Sequence, residues 1–387
     1  MTQDRSDVTT GPFRVLHRAH RTARRWRPHP TSSGACHSVR VTLLLPEPRF
    51  PDPSDAPSLR WGVVAPGWIA GHFVASLHRH TGQRVVAVAS RDAARGQAFA
   101  DEHGVERVHA SYDALVDDPQ VDVVYVASPH SHHPDQALAA IAAGKHVLVE
   151  KPLARNAAEA RLIVDAARAA GVLAMEAMWT RYLPHVDVLR QVLETGTIGQ
   201  PRWVTGSFAT RTVVPDTHRL MDPALAGGVL LDIGIYPLSF ASFVATTVGL
   251  PATPTDLQVM GSLTRTGVDE QVALQVAYPG LQAQLFTSML TPADDEARVH
   301  GEAGWVTTGP RFRGPSSVTL HVGDESATWD DNRVEELDGL CFQAAALARY
   351  VAQGRTESPL HPLDEVLTVL ETADEVRRRL GVVYPGE

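Results

Sequence analysis

Lysine is almost missing from this chain of 387 residues. Of 35 basic residues only Lys145 and Lys151 are lysines, and the rest are arginines. Arginine stays charged near neutrality, whereas lysine can be tuned by its surroundings to release a proton. A lysine retained in such a composition therefore asks for a chemical reason. Cysteine is scarce as well. Cys36 and Cys341 are the only two, too few for a disulfide framework or a thiolate metal site, so a reducing, cytoplasmic setting is expected. No apolar run approaches the roughly 20 residues of a membrane-spanning helix. The net charge of −9 argues against nucleic acid as the main partner. What is present is ordinary for a folded protein: 44% hydrophobic and 20% charged residues, in a length that suits two domains or one with extensions.

The charge is unevenly spread. Residues 1–58 carry nine arginines against five acids, which leaves about −13 on the remainder. The segment from Arg14 to Arg27 is basic, and no apolar core stands behind it to make a secretory signal. Pro46-Glu47-Pro48 and Pro51-Asp52-Pro53 break the chain before Leu59. Residues 1–58 are expected to be a disordered basic extension, foreign to the natural protein if translation starts downstream. A nucleic-acid arm or an import sequence is the minor alternative.

From Leu59 onward the pattern becomes regular. Apolar runs at Trp61–Ala65, Val85–Ala89, Val121–Ala127, His146–Val149 and Val172–Met175 alternate with segments of helical spacing, among them Trp68–His80, His133–Ala143 and Ala157–Ala170. Strands apolar throughout, separated by helices, mean a parallel sheet covered on both faces. A doubly wound Rossmann domain is expected over residues 59–178. After Trp179 the apolar residues alternate with polar ones, as in Trp203–Phe208, Leu257–Leu263, Glu270–Ala277 and Gln282–Met289. That period of two predicts strands with one wet face. The fold class is thus α/β: a Rossmann domain followed, over residues 179–387, by an α+β domain with a large, mainly antiparallel open sheet.

The first turn reads Ala65-Pro66-Gly67-Trp68-Ile69-Ala70 and stands between a strand and a helix. Gly67 occupies the place where a glycine lets a pyrophosphate approach the backbone. The helix that starts there offers free N–H groups to phosphate. The second strand ends at Ser90-Arg91, where an acid would hold both ribose hydroxyls of NAD. An arginine beside a hydroxyl suits a 2′-phosphate instead, so NADP is expected, with NAD as the alternative.

Three further segments are Ser128-Pro129-His130-Ser131-His132-His133-Pro134, Gly144-Lys145-His146-Val147-Leu148-Val149-Glu150-Lys151-Pro152, and Asp232-Ile233-Gly234-Ile235-Tyr236-Pro237. With the first turn and Met175–Arg181, they resemble the glucose–fructose oxidoreductase/inositol dehydrogenase (Gfo/Idh/MocA) family. The similarity is to its branch of trans-dihydrodiol dehydrogenases and NADP-dependent D-xylose dehydrogenases. It spans about residues 59–382. It implies a hydride transfer between a nicotinamide and a hydroxyl or carbonyl of a sugar, cyclic polyol or trans-dihydrodiol. It also implies a Lys151–Pro152 bond that is often cis, and an open sheet that often pairs subunits into a homodimer or homotetramer. Ser128, Pro129, His130, His133, Glu150 and Lys151 are expected beside the cofactor with Ala65, Gly67, Trp68, Ile69, Ser90 and Arg91. Many members carry a histidine where this chain has Tyr236.

Chemistry on a carbinol needs a group for the hydroxyl proton and a clamp for geometry. Tyr236 and Lys151 are expected to share the proton, with roles that the residues alone leave interchangeable. The Lys151 ammonium and the oxidised nicotinamide should both favour the phenolate and lower the Tyr236 pKa; desolvation and the nicotinamide charge should instead bring Lys151 toward about 7–8. Asp232, one turn earlier, can orient the lysine or a substrate hydroxyl. Trp179 and Arg181 are candidates for the substrate wall, with core packing and a structural ion pair as alternatives. His130, His132 and His133 lack a cysteine or acid at ligand spacing, so no metal is expected. The competing reading is a non-catalytic nucleotide sensor of the same fold.

Overall fold

The computed structural model describes residues 43–330 and 333–387. Its first sheet holds β1 (Arg60–Val64), β2 (Arg84–Ala89), β3 (Arg107–His109), β4 (Val123–Val126), β5 (His146–Glu150) and β6 (Ala174–Ala177). The helices α1 (Trp68–His80), α2 (Ala93–His103), α3 (Tyr112–Val116), α4 (His133–Ala142) and α5 (Ala157–Ala170) cross between them. All strands are parallel, in the order β3-β2-β1-β4-β5-β6. Val63, Val64, Val124, Tyr125, Val147 and Leu148 are fully buried on its two faces, which is why these strands are unbroken apolar runs. The order reverses between β1 and β4, and ligands of such sheets bind beyond the strand ends at that point.

The second region begins with α6 (Pro184–Glu194) and β7 (Pro201–Ala209), followed by α7 (Ile235–Thr247). Seven more strands come next: β8 (Asp256–Leu263), β9 (Asp269–Tyr278), β10 (Leu281–Ser288), β11 (Ala297–Gly301), β12 (Gly304–Thr308), β13 (Ser317–Val322) and β14 (Glu325–Asp330). The helices α8 (Leu340–Ala352) and α9 (Leu363–Leu380) end the chain. The strand order is β14-β13-β12-β11-β7-β10-β9-β8. The pairing of β7 with β10 is parallel; every other neighbour is antiparallel.

Two expectations change here. The stretch Pro223–Thr247 contains an 18-residue run with a mean hydropathy of 1.6, long and apolar enough for a membrane span, although no such run was expected from the sequence. That run is 89% buried within the protein, because α7 packs against β7, β10 and β11 and against α6 and α9. Residues 43–58, expected to belong to a disordered extension, pack on the fold. Arg49 pairs with Asp187 at 2.6 Å and Glu194 at 2.9 Å on α6, and Ala56 is buried against Ala345 and Ala348 of α8. The basic segment Arg14–Arg27 and Cys36 lie outside the described residues.

The last helix returns to the first sheet. Leu363, Val366, Leu367 and Leu370 of α9 share one buried cluster with Val64, Val124, Val147 and Ile163.

Candidate active site

Lys151 follows the last residue of β5, at the carboxyl edge of the first sheet, and its bond to Pro152 is cis. Its Nζ donates to the Asp232 carbonyl oxygen, lies 3.9 Å from Asp232 Oδ1 and stands 5.0 Å from the centre of the Tyr236 ring. Asp232 sits in a π-helical turn, Leu230–Gly234, that runs directly into α7. Such turns often occur at functional sites. Tyr236, 9% exposed, accepts a hydrogen bond from Trp179 Nε1 at 3.2 Å. The three expected catalytic residues and Trp179 therefore meet, although they come from three separate chain segments.

Burial pushes the Tyr236 phenol above its ordinary pKa, and the Lys151 charge only partly offsets it. Of the two charges expected to lower it, Lys151 acts in that direction but does not by itself outweigh burial. For Asp232 burial also opposes ionisation, but Lys151 and then Arg219 outweigh it and hold the carboxyl below its ordinary range.

The sequence reading missed three residues at this cluster. Arg219, in the loop between β7 and α7, places Nη2 3.0 Å from Asp232 Oδ1. Phe208, near the end of β7, packs edge-on to Tyr236 with ring centres 5.9 Å apart. Arg313 lies over the Phe208 ring at 4.3 Å and its charge acts on Tyr236. All three sit in segments with no local motif; only the fold brings them together.

On the cofactor side, Ala65 takes φ +63°. This left-handed conformation costs an ordinary residue about 1–2 kcal/mol and explains why glycine is usual at that point. A Cβ on Gly67 would meet nothing closer than the Ala65 carbonyl at 3.9 Å. The bare backbone there is thus open to an approaching phosphate. Gly67 is also the N-cap of α1, which has no side-chain cap, so N–H groups at Trp68 and Ile69 are left for a ligand. Trp68 is 71% exposed. Ser90 is buried and accepts from the Asp92 amide at 3.2 Å, while Arg91 is exposed. These features fit a dinucleotide.

The remaining expected contacts divide. Ser128, Pro129 and His130 follow β4 at the strand edge, and His130 Nδ1 lies 3.3 Å from the Ala226 carbonyl. Burial, helped by the charges of His133 and Lys151, pushes the His130 pKa down to about 3, so its ring is neutral. His133, expected at the cofactor, is fully buried, with Nδ1 and Nε2 each 2.9 Å from the carbonyls of Pro152 and Ser128. It ties the two strand-end loops together instead of meeting a ligand. The Glu150 carboxylate takes the Tyr125 hydroxyl at 2.5 Å, so a cofactor would meet its backbone and not its side chain. Arg181, expected at the substrate, is in a buried pair with Glu365 at 2.7 Å and also donates to Ser239. Its role is structural. Among the described residues no group of histidine, cysteine, aspartate and glutamate converges as a metal site.

A cavity of about 200 Å³ opens beside Trp179. A larger concavity, about 890 Å³, lies instead over the strands of the second sheet and contains none of these groups.

A Rossmann sheet, an uncapped helix start at its edge and a buried Lys–Asp–Tyr cluster define a nicotinamide-dependent oxidoreductase. Residues 59–178 match the model described as oxidoreductase family, NAD-binding Rossmann fold, and residues 186–307 match the GFO/IDH/MocA C-terminal domain. Human trans-1,2-dihydrobenzene-1,2-diol dehydrogenase is 35% identical over 343 residues, covering 85% of this chain and 99% of that protein. The Macaca fascicularis enzyme of the same name is 36% identical with the same coverage. KijD10, a 3-ketoreductase from Actinomadura kijaniata solved with NADP and TDP-benzene, is 27% identical with a TM-score of 0.71, covering 83% of this chain and 98% of that one. Levoglucosan dehydrogenase, in complex with NADH and levoglucosan, shares the fold at 17% identity and a TM-score of 0.74, over 86% of this chain and all of that one. The chain belongs to the Gfo/Idh/MocA family of oxidoreductases.

Proposed function

We propose that this protein is an NADP-preferring dehydrogenase or reductase acting on a carbinol or carbonyl of a sugar, cyclic polyol or trans-dihydrodiol. The observation that carries the reading is the meeting of Lys151, Asp232, Tyr236 and Trp179 at the edge of the Rossmann crevice. When bound, the nicotinamide supplies or accepts the hydride. Tyr236 gives its proton to the substrate oxygen in reduction and recovers it in oxidation. Lys151 stabilises the charge that then develops on the phenol oxygen and on the substrate oxygen. The Asp232 carbonyl fixes the Lys151 ammonium, and its carboxylate, held by Arg219, is available to a neighbouring substrate hydroxyl. Trp179 orients the phenol and walls off water.

NADP is favoured over NAD by the exposed Arg91 at the end of β2. We also infer that the chain pairs with a second copy through the open face of the second sheet. There Trp203, His300, Trp305 and His321 stack in a row across β7, β11, β12 and β13, and Met260 on β8 is 77% exposed.

Lys151→Met and Tyr236→Phe should each lower turnover by about 10²–10⁴-fold, the range for a lost acid–base group. Titration of NADPH fluorescence should show that both variants still bind cofactor. Near-full turnover by both would refute the assignment of Lys151 and Tyr236, whereas a wild type that binds NADPH but turns over none of these substrates would leave nucleotide sensing as the better reading.

A further inference from the structure

The lining of the cavity of about 200 Å³ includes Trp68, Trp179, Arg311, Arg313, Gly314 and Glu336. Its position ties it to the reacting groups. The Trp179 indole spans the distance: its Nε1 meets the Tyr236 hydroxyl, while a Cβ on Gly314 would come within 3.2 Å of its far edge. A ligand held against Tyr236 along this indole therefore reaches the cavity with its distal end. Trp68 brings the cofactor turn to the same space.

The loop between β12 and β13 is held in place for this. The Arg313 carbonyl accepts from Thr180 at 2.8 Å, next to Trp179, and the neighbouring Phe312 carbonyl lies 3.1 Å from His185 Nε2. Arg311 and Glu336 both take left-handed backbone conformations, φ +65° and +43°, and their side chains pair at 3.0 Å. Strain of this kind persists where the surroundings enforce it and clusters at ligand sites. Within the loop, Arg313 has one nitrogen engaged: Nε donates to Asp295 at 3.1 Å. Its Nη1 and Nη2 have no protein acceptor among the described residues. The side chain is 27% exposed and rests on Phe208, the same ring that packs on Tyr236. A forked donor with two open nitrogens, set between aromatic walls, is suited to paired oxygens on a ring.

On the strength of the function proposed above, the geometry points to Arg313 as a specificity-determining residue. It donates to oxygen substituents on the far side of the substrate ring from the reacting carbon. Substrates with hydroxyls there are thereby preferred to a hydrocarbon ring that carries only the reacting diol. The charge balance supports hydroxyls over an anionic group: Asp295 and Glu336 already neutralise Arg313 and Arg311.

The test compares kcat/KM for aldopyranoses and inositols with that for trans-cyclohexane-1,2-diol, using the wild-type protein, Arg313→Met and Arg313→Lys. The wild type should prefer the polyhydroxylated rings. Arg313→Met should reduce that preference by on the order of a hundredfold or more, because a site built to bond a hydroxyl discriminates strongly against its absence. Arg313→Lys keeps the charge near Tyr236 but loses the fork, and should fall between the two. The pH profile of kcat should be the same in the wild type and Arg313→Lys, and should move to higher pH in Arg313→Met, which loses the charge that favours the Tyr236 phenolate. A wild type that favours the bare diol, an equal loss on both substrates, a pH profile shifted in Arg313→Lys, or a change confined to the KM of cofactor overturns the role of Arg313. Turnover of no substrate by the wild type overturns the functional reading itself, and the role of Arg313 with it.

Discussion

Arg91 and Asp92 are neighbours in sequence, and both are exposed at the end of β2. One Asp92 oxygen caps the start of α2, while the Arg91 side chain stands in solvent. Hydrogen bonds to a charged group contribute about 1.5–3 kcal/mol. Arg91→Ala should thus raise the KM for NADP by roughly 10–150-fold and leave the KM for NAD nearly unchanged. Steady-state kinetics with both cofactors checks this; an equal change for both would place Arg91 away from the 2′-phosphate. At this scale the sequence was informative wherever chemistry sits in a contiguous motif. Lys151, Asp232 and Tyr236 stand in such motifs, and the structure brings them together. Arg219, Phe208 and Arg313 have no such neighbours, and their relevance arises from contacts between distant segments. His133 and Arg181 show the converse. Each lies within a motif, yet its polar atoms are satisfied inside the protein.

Among the elements, the helices and five of the six strands of the first sheet were legible because hydrophobic runs and caps mark them. Asn156 caps α5 and Gly171 ends it in a left-handed turn, as the sequence signals suggest. Helix α7 was not legible. It is apolar on all sides, so it has no amphipathic period to detect. The strands β3, β11 and β12 are only three to five residues long, and β14 shows little burial. A buried ion pair links three of these elements: Arg181 after β6 holds Glu365 of α9, which also accepts from Ser242 of α7. Burial opposes the Glu365 charge, but Arg181 and His361 outweigh it and the pKa falls from 4.5 to about 2. A depressed carboxylate pKa gives stability that is present above pH 4.5 and is lost as pH falls toward 2. The shift corresponds to about 3 kcal/mol. Urea unfolding across pH 2–7 should show this acid loss in the wild type. Glu365→Gln should be less stable by a similar amount at pH 7 and show a weaker loss below pH 4.5. An unchanged acid limb would remove Glu365 as its source.

For the molecule as a whole, the two-part architecture followed from the change of hydrophobic period after Trp179. The parallel pairing of β7 with β10 did not, because α7, β8 and β9 intervene in sequence and pairing partners leave no local trace. The exposed face of the second sheet carries the proposed contact between copies. Met260→Glu places a charge on it, and opposed like charges across such a contact are costly. Sedimentation at micromolar concentration should show a dimer or tetramer for the wild type and a monomer for the variant. A wild-type monomer would dismiss the contact.

The return of α9 to the first sheet bears on how the protein is made. Four leucine and valine side chains of α9 complete the packing around Val64, Val124 and Val147. During synthesis the first sheet's strands leave the ribosome nearly two hundred residues before that helix does. Amino-terminal domains commonly fold first on the ribosome. Here the nucleotide-binding half emerges with one flank of its core uncovered, and that flank is covered only when the last helix follows.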